Sequence, residues 1–247
     1  MSGEPYLETV NVTKFYRDVA ALRDVCLSVR CGEVVCLLGD NGAGKSTLIH
    51  ILSGVEKPDL GTIRVGGIDV KLGSPAQARD RGIATVFQDL AVVPMMPVYR
   101  NFFLGREPTI GWGPFRRFNS KAAIAIAEKA LRDFGVSSAS VRLPIGTLSS
   151  GQRQGVAVAR ALHFGGRILI LDEPTSALGV RQVEVVLGYV RRAKDAGVGV
   201  ILVTHNVQHA YAIGDTFVVL FLGRHVGTFD KSNLTEAQLT RMMAGVI

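Results

Sequence analysis

Eight consecutive residues carry the strongest chemical signal in this sequence. Gly39, Asp40, Asn41, Gly42, Ala43, Gly44, Lys45 and Ser46 match the pattern G-x-x-x-x-G-K-[ST]. Glycines let the backbone curl until successive N–H groups converge on phosphate oxygens. The N-terminus of the helix expected from Gly44 adds its partial positive charge. Lys45 brings a full charge to the β and γ phosphates, an attraction of about 4 kcal/mol at contact with an effective dielectric of roughly 20, before desolvation. The Ser46 hydroxyl can sit on Mg²⁺, and Thr47 follows it in the same phosphate-binding turn.

A second group of residues suits the same chemistry. In Ile168-Leu169-Ile170-Leu171-Asp172-Glu173 two carboxylates follow four aliphatics, as at the end of a buried strand. Asp172 can hold Mg²⁺ through water, and Glu173 beside it can polarise an attacking water as general base. Other candidate sites are weaker. Cys26, Cys31 and Cys36 follow C-x4-C-x4-C, which matches no usual zinc or iron–sulfur spacing. Cys26 and Cys36 read instead as small strand residues. His205 and His209 are four apart but lack the Glu of H-E-x-x-H, so His209 is expected to be a surface helix residue.

The elements that must position these groups are legible from periodicity. Val25, Leu27 and Val29 alternate with polar residues as in a half-exposed strand, whereas Val34 to Leu38 is continuously apolar, as in a strand buried on both faces. Leu48, Ile49, Ile51 and Leu52 have helical spacing, and Gly54 is a stop. Residues 61–70 suggest a hairpin around Gly66-Gly67. Ser120 is expected to cap a helix with Ile124, Ala127, Leu131 and Phe134 on one face, and another helix should run from Gly151 to about His163. A strand at Ile168 to Leu171, a helix presenting Val183, Val186, Leu187 and Val190, and strands at Val198 to Val203 and Phe217 to Leu222 complete the pattern. Buried strands alternating with amphipathic helices imply an α/β core, interrupted by a mostly helical insertion over about residues 90–160.

Composition narrows the partners. The 247 residues fit one large domain, and 47% hydrophobic with 20% charged residues excludes a disordered chain. The formal charge of +7 favours anionic partners, yet no Lys/Arg run or recognition helix accompanies it, so no nucleic-acid partner is expected. The longest stretch without Asp, Glu, Lys or Arg, the 19 residues Ala196 to Gly214, holds Thr204, His205, Asn206, Gln208 and His209, so it is not expected to span a bilayer. The N-terminus reads as no secretory signal, and the chain is expected in the cytosol. Pro94 to Pro97 and Trp112 to Arg117, within the insertion, suit either loop packing or contact with a partner.

Further residues carry a family resemblance. Leu148-Ser149-Ser150-Gly151-Gln152-Arg153-Gln154 resembles the signature motif of ABC transporter ATPases, usually LSGGQ. Gln88 in Val86-Phe87-Gln88-Asp89 resembles the family's Q-loop, and His205 resembles its switch histidine. Tyr16 falls where an aromatic stacks on adenine. The phrases GDNGAGKSTLIHILSG, RGIATVFQDLAVVPMMPVYRNFFLGRE and LSSGQRQGVAVARAL are similar to monosaccharide importers of the ribose and fructose type.

The resemblance implies a P-loop NTPase (RecA-like) α/β core, about residues 1–89 and 161–247, with an N-terminal antiparallel β subdomain and the inserted helical signature subdomain. It implies ATP hydrolysis with Mg²⁺, driven in a head-to-tail pair in which Ser149, Gly151 and Gln152 of one copy face the γ-phosphate held by Lys45 of the other. His205 would contact that phosphate, and Gln88 would touch Mg²⁺ and link the site to the insertion. The partners implied are a second copy, an integral-membrane permease and, indirectly, a sugar-binding protein, at the cytoplasmic face of the cell membrane. The alternatives are a non-sugar importer and a soluble nucleic-acid-associated ABC ATPase. Two positions depart from the family: Ser150 replaces a signature glycine, and Gly179 in Ser176-Ala177-Leu178-Gly179 stands where Asp is usual.

Overall fold

The computed structural model describes residues 3–136, 140–176 and 178–245. Strands β1 (Leu7–Tyr16) and β2 (Val19–Val29) pair antiparallel, and β3 (Val34–Leu38) leads through the phosphate loop into α1 (Lys45–Leu52). The hairpin of β4 (Leu60–Val65) and β5 (Ile68–Val70) turns at Gly66-Gly67, as expected, and α2 (Pro75–Asp80) and β6 (Ile83–Val86) follow. Next come α3 (Val98–Phe103), a minimal hairpin of β7 (Thr109–Ile110) and β8 (Arg117–Phe118), α4 (Ser120–Asp133) and α5 (Ser150–His163). The chain then runs through β9 (Ile168–Asp172), α6 (Val180–Asp195), β10 (Gly199–Thr204), α7 (Val207–Ile213), β11 (Thr216–Phe221), β12 (Arg224–Asp230) and α8 (Glu236–Met243).

Among the described residues one ten-stranded sheet runs β5-β4-β1-β2-β12-β11-β3-β10-β9-β6. Its β11-β3-β10-β9-β6 portion is all parallel. Among those residues the only join to the antiparallel β2-β1-β4-β5 portion is a pairing of Arg224 with Arg23, so two sheets meet edge to edge through β12. Side-chain alternation explains why the parallel strands are mostly apolar. Val35, Leu37, Ile168, Ile170, Ile201, Val203, Val218 and Leu220 pack on one face with α1 and the antiparallel strands. Val34, Cys36, Leu38, Leu169, Leu171, Val200, Leu202, Phe217 and Val219 pack on the other with α6, α7 and α8. Strands covered on both faces favour apolar residues, with buried Thr204 and Thr216 and the buried Thr85 hydroxyl as polar exceptions, and each such Val, Leu or Ile contributes roughly 1.5–3 kcal/mol of burial.

The α3–α5 segment builds an apolar cluster on Phe102, Phe103, Ala127, Leu131 and Ile145, which Tyr189 of α6 joins. Here the local reading needs correction. The cap of α4 is Asn119, whose side chain accepts from the Ala122 N–H, and Ser120 is already helical. Two potential caps stand side by side there, and periodicity does not choose between them. Likewise α5 begins at Ser150, because Ser149 and Gln152 form a reciprocal capping box. Val198 lies just outside β10, and Leu222, with φ +47°, ends β11 in a turn.

Cys26, Cys31 and Cys36 do not converge: the first bonds Asn11 at the sheet surface, the second is exposed, and the third is fully buried among α6–α8. Burial pushes the Cys36 thiol far above its ordinary range, with Asp215 reinforcing the shift. Iodoacetamide should therefore modify Cys31 in the folded protein while Cys36 reacts only in denaturant; mass spectrometry showing native Cys36 alkylation would be incompatible with β3 at the sheet centre.

Candidate nucleotide site

Four neighbouring strands, β3, β10, β9 and β6, end at the same edge of the sheet, and each delivers a site residue there. Ligands of open α/β sheets bind outside such carboxyl ends. Beyond β3, Gly39 has φ +154°, and a Cβ there would stand 2.4 Å from the Leu220 carbonyl oxygen. Gly44, at φ +100°, caps α1 in a left-handed conformation, and the first N–H groups of a helix have no partner within it. Asp40, Asn41, Gly42 and Ser46 are exposed, Thr47 is half-buried, and Gly39 and Ala43 are packed beneath them.

Lys45 is only 7% exposed. Its ammonium donates to the carbonyl oxygens of Gly39 and Asp40, at 2.6 and 3.1 Å. Burial lowers its proton affinity, while Glu173, Asp40 and Asp172 pull the other way. The charge is thus held poised over the loop, within the electrostatic reach of both carboxylates from β9.

At the end of β9 the Glu173 backbone is in the left-handed region, φ +47°, rare for a residue with a side chain. Four contacts hold it there. Its N–H donates to Val203 O at 3.0 Å, the Ser176 N–H and hydroxyl donate to its carbonyl at 3.1 and 2.8 Å, and His205 Nδ1 lies 2.9 Å from its Oε1. Since an ionised carboxylate only accepts, His205 donates through Nδ1 in this arrangement. Glu173 Oε2 is buried and has no hydrogen-bond partner among the described residues. Gln88, just beyond β6, donates through Nε2 to Ser176 Oγ at 3.5 Å. One polar chain thus runs Gln88, Ser176, Glu173, His205.

The Asp172 carboxyl is pushed up by burial first and by the Glu173 charge second. A cation beside it would relieve both. Among the described residues no three His, Cys, Asp or Glu side chains cluster to bind a metal alone. That suits Mg²⁺, which takes one or two protein carboxylates and completes its octahedron with phosphate and water oxygens. Asp172, the Ser46 hydroxyl and the Gln88 amide are hard oxygen donors of the right kind, so the residues fit the ion.

Other sequence-derived candidates surround this cluster, Tyr16 through a side-chain hydrogen bond to Thr47. Tyr16 ends β1, 43% exposed, donating its hydroxyl to Glu56 with the Lys14 ammonium 5.8 Å from its ring centre. Burial and the Glu56 bond raise its phenol pKa. Ser149 is exposed at the N-terminus of α5, its Oγ accepting from Gln152 N at 3.2 Å and its N–H donating to Gln152 Oε1 at 2.9 Å. Gly151, in contrast, is buried beside Gln182 of α6. Ser150 and Gln154 line an open cleft of about 450 Å³ shared with Gln88, Glu173 and Ser176. His209 is half-buried rather than a free surface residue, its Nδ1 3.0 Å from Thr175 Oγ1. Gly179 caps α6 without a side-chain bond, and a Cβ there would meet nothing within 4 Å. Ala177 of that loop lies outside the described residues.

Sequence reasoning does not single out Ser176, Thr175 or Asn101. Asn101 is 3% exposed and clamps the segment after Gln88, accepting from Val93 N at 2.8 Å and donating to Met96 O at 2.9 Å. An amide preceding Phe102-Phe103 in the short helix Val98–Phe103 is the signal that could have found it.

The pattern of the ABC transporter family matches residues 22–176, the stretch from β2 through the phosphate loop and signature to the residues after Glu173. The chain belongs to that family. This ABC ATPase is 41% identical to the xylose/arabinose import ATP-binding protein XylG of Sulfolobus acidocaldarius, over 96% of this chain and 93% of that protein. It is 37% identical to the fructose import ATP-binding protein FrcA of Rhizobium meliloti, over 99% and 96%. The galactofuranose transporter ATP-binding protein YtfR of Escherichia coli K12 is 39% identical over 97% of this chain, which spans only 47% of YtfR. Among solved structures, the ADP conformation of an ATP-binding cassette of an ABC transporter superposes with a TM-score of 0.83 at 25% identity, covering 98% of this chain and 96% of that one. A dimeric cassette in a post-hydrolysis state with ADP and Pi superposes with a TM-score of 0.75 at 26% identity, covering 92% and 100%. The protein is an ATP hydrolase of the ABC class, with hydrolysis coupled to transport.

The Ser176 hydroxyl joins the Gln88 amide to the Glu173 carbonyl, which the Ser176 N–H also reaches. Ser176→Ala should cost the transition state about 1 kcal/mol, roughly fivefold in kcat, with the KM for ATP near wild type. Steady-state ATPase kinetics with kcat unchanged would remove Ser176 from that role.

Proposed function

We propose that this chain is the ATP-binding and hydrolysing subunit of a sugar importer. Near full-length likeness to the two sugar-import ATP-binding proteins XylG and FrcA, with more than 90% of each covered, carries the reading. It is a single ABC ATPase domain, with the core at about residues 1–89 and 161–247 and the insertion at about 90–160; the apolar cluster of α3–α5 supports that division.

Each site residue has a role that its placement supports. N–H groups of the loop from Gly39 to Ser46 and of Thr47 bind the phosphates, although the Ala43 N–H is held by Asp40 O, and Lys45 exchanges its two carbonyl partners for β and γ oxygens. Tyr16 stacks on the adenine. Ser46, Gln88 and Asp172 would hold Mg²⁺, which when bound neutralises charge on the β and γ phosphates. Glu173 is the general base: its buried Oε2 takes a proton from water as the water oxygen attacks the γ-phosphorus and the bond to the ADP oxygen breaks. His205 keeps the Glu173 carboxylate aimed and contacts the γ-phosphate. Gln88 transmits the state of the site through Ser176 to the insertion.

A second copy completes the site. Ser149 is exposed at a helix N-terminus, and its copy in the partner, with Gly151 and Gln152, meets the γ-phosphate from the opposite side. The dimeric cassette among the similar structures supports this pairing. Val180, 83% exposed beside Gly179, suits burial in the pair. No helix among the described residues is long and apolar enough to cross a membrane, so coupling runs through a permease that holds the pair at the cytoplasmic face, with a sugar-binding protein outside. Hydrolysis survives Gly179 because Glu173 and His205 are in place.

Glu173→Gln should retain ATP binding, lower kcat by roughly 10²–10⁴-fold and trap a closed dimer visible by size-exclusion chromatography. Turnover near wild type would exclude Glu173 as the base. Lys45→Ala should weaken ATP binding itself by roughly tenfold or more in a titration.

A further inference from the structure

The hairpin of β7 and β8 presents side chains that the nucleotide site does not use. At its tip Trp112 is 87% exposed, Phe115 82% and Ile110 51%, and none of the three belongs to an apolar cluster. This is not a loose loop. Phe115 N donates to Trp112 O at 3.1 Å, Arg116 N donates to Gly113 O at 3.3 Å, and β7 and β8 pair Thr109 with Phe118 and Ile110 with Arg117. The base is anchored too: Asn119 N donates to Pro108 O at 2.8 Å, and the Phe118 ring stacks on Tyr99 at 6.1 Å. Aromatic surface held rigidly in water, with an apolar cluster available beneath the hairpin base, is surface kept for something outside the chain.

Charge identifies what that is. Between residues 100 and 121 there are five cationic side chains and one acidic one, Glu107. Arg116 donates to the Thr109 hydroxyl at 3.0 Å, and among the described residues neither it nor Arg117 has an ion-pair partner. Arg100 has only the face of Phe118, 5.3 Å away, among those residues. We infer that this hairpin is a lipid-contact device, with Trp112 and Phe115 entering the headgroup region of an anionic phospholipid surface and Arg116 and Arg117 pairing with its phosphates. Tryptophan favours that interfacial depth, and each arginine near an anionic surface adds about a factor of five in affinity. A protein partner fits less well. Two rings on a narrow convex tip offer far less than the roughly 800 Å² that a stable protein interface takes from each side, whereas headgroups deform around a protrusion. The identity of the transported solute has no bearing on this contact.

Trp112 is the sole tryptophan of the chain, so its emission reports this hairpin alone. Adding phosphatidylglycerol-containing vesicles to the full-length protein should shift the emission to the blue, and bromines on the acyl chains should quench it. Pure phosphatidylcholine vesicles should bind roughly tenfold more weakly or less, and raising salt should release the protein. The double variant R116Q/R117Q should lose roughly tenfold to thirtyfold in vesicle affinity, and F115S should reduce the blue shift. Both should keep wild-type ATPase rates without lipid, which shows that they fold. Emission unmoved by either vesicle overturns the inference, as does flotation of R116Q/R117Q equal to wild type. A shift produced only by a purified permease in detergent also overturns it and makes the hairpin a protein contact.

Discussion

A lysine that is 7% exposed is the constraint around which this protein is arranged. A buried ammonium is tolerated only where several acceptors share its proton charge, and two backbone carbonyls and two nearby carboxylates do so here. That placement requires the loop after β3 to double back on itself. This in turn requires glycine where Gly39 meets Leu220 O, and a strand stiff enough to fix the loop's start. The double-sided burial of β3 supplies the stiffness. The apolar layers on both faces of the sheet serve to present one charge in one place.

The same edge explains the strain at Glu173. A left-handed backbone costs of order 1–3 kcal/mol, and it persists because Val203, Ser176 and His205 each hold a different part of the residue. What the strain obtains is direction: the carboxylate turns away from the strand axis, one oxygen on His205 and the other buried and unpartnered among the described residues. Rigid β strands aim the group, while the polar contacts that tune it come from the turns between them. The chain from Gln88 through Ser176 to Glu173 gives the segment beyond β6 a route by which movement there can alter the Glu173 carboxylate. The clamp of Asn101 on Val93 and Met96 makes that segment stiff enough to transmit it.

The hairpin of β7 and β8 belongs to a different part of the molecule and answers to a different physics. Nothing at the sheet edge needs Trp112 or Phe115. Their exposure on a hydrogen-bonded tip, beside arginines with no ion-pair partner among the described residues, is an arrangement that water alone does not favour. The basic excess of the chain is therefore not one feature: Lys45 is buried in the Gly39–Ser46 loop, while Arg116 and Arg117 form a separate local patch.

Much of the site is legible in the sequence as residue types, because its chemistry is local in the chain. The loop from Gly39 to Ser46 is contiguous, and Asp172-Glu173 directly ends an apolar run, so spacing alone names the phosphate grip and the candidate base. Continuous apolar runs likewise mark β3, β9 and β10, since strands covered on both faces are mostly apolar. Half-exposed or edge elements such as β1, β6 and β12 go unmarked, as their mixed burial leaves no clean period. Single-residue errors, such as Ser120 for Asn119, arise where two adjacent residues could make the same cap. Only the tertiary structure decides which strands are neighbours, and so that Gln88, Glu173 and His205, spread over more than a hundred residues, share one edge. It alone also shows that Ser176 links two of them, that His209 is tied to Thr175 and that Trp112 stands in water. Those facts depend on contacts between residues distant in sequence, which periodicity and local spacing do not encode.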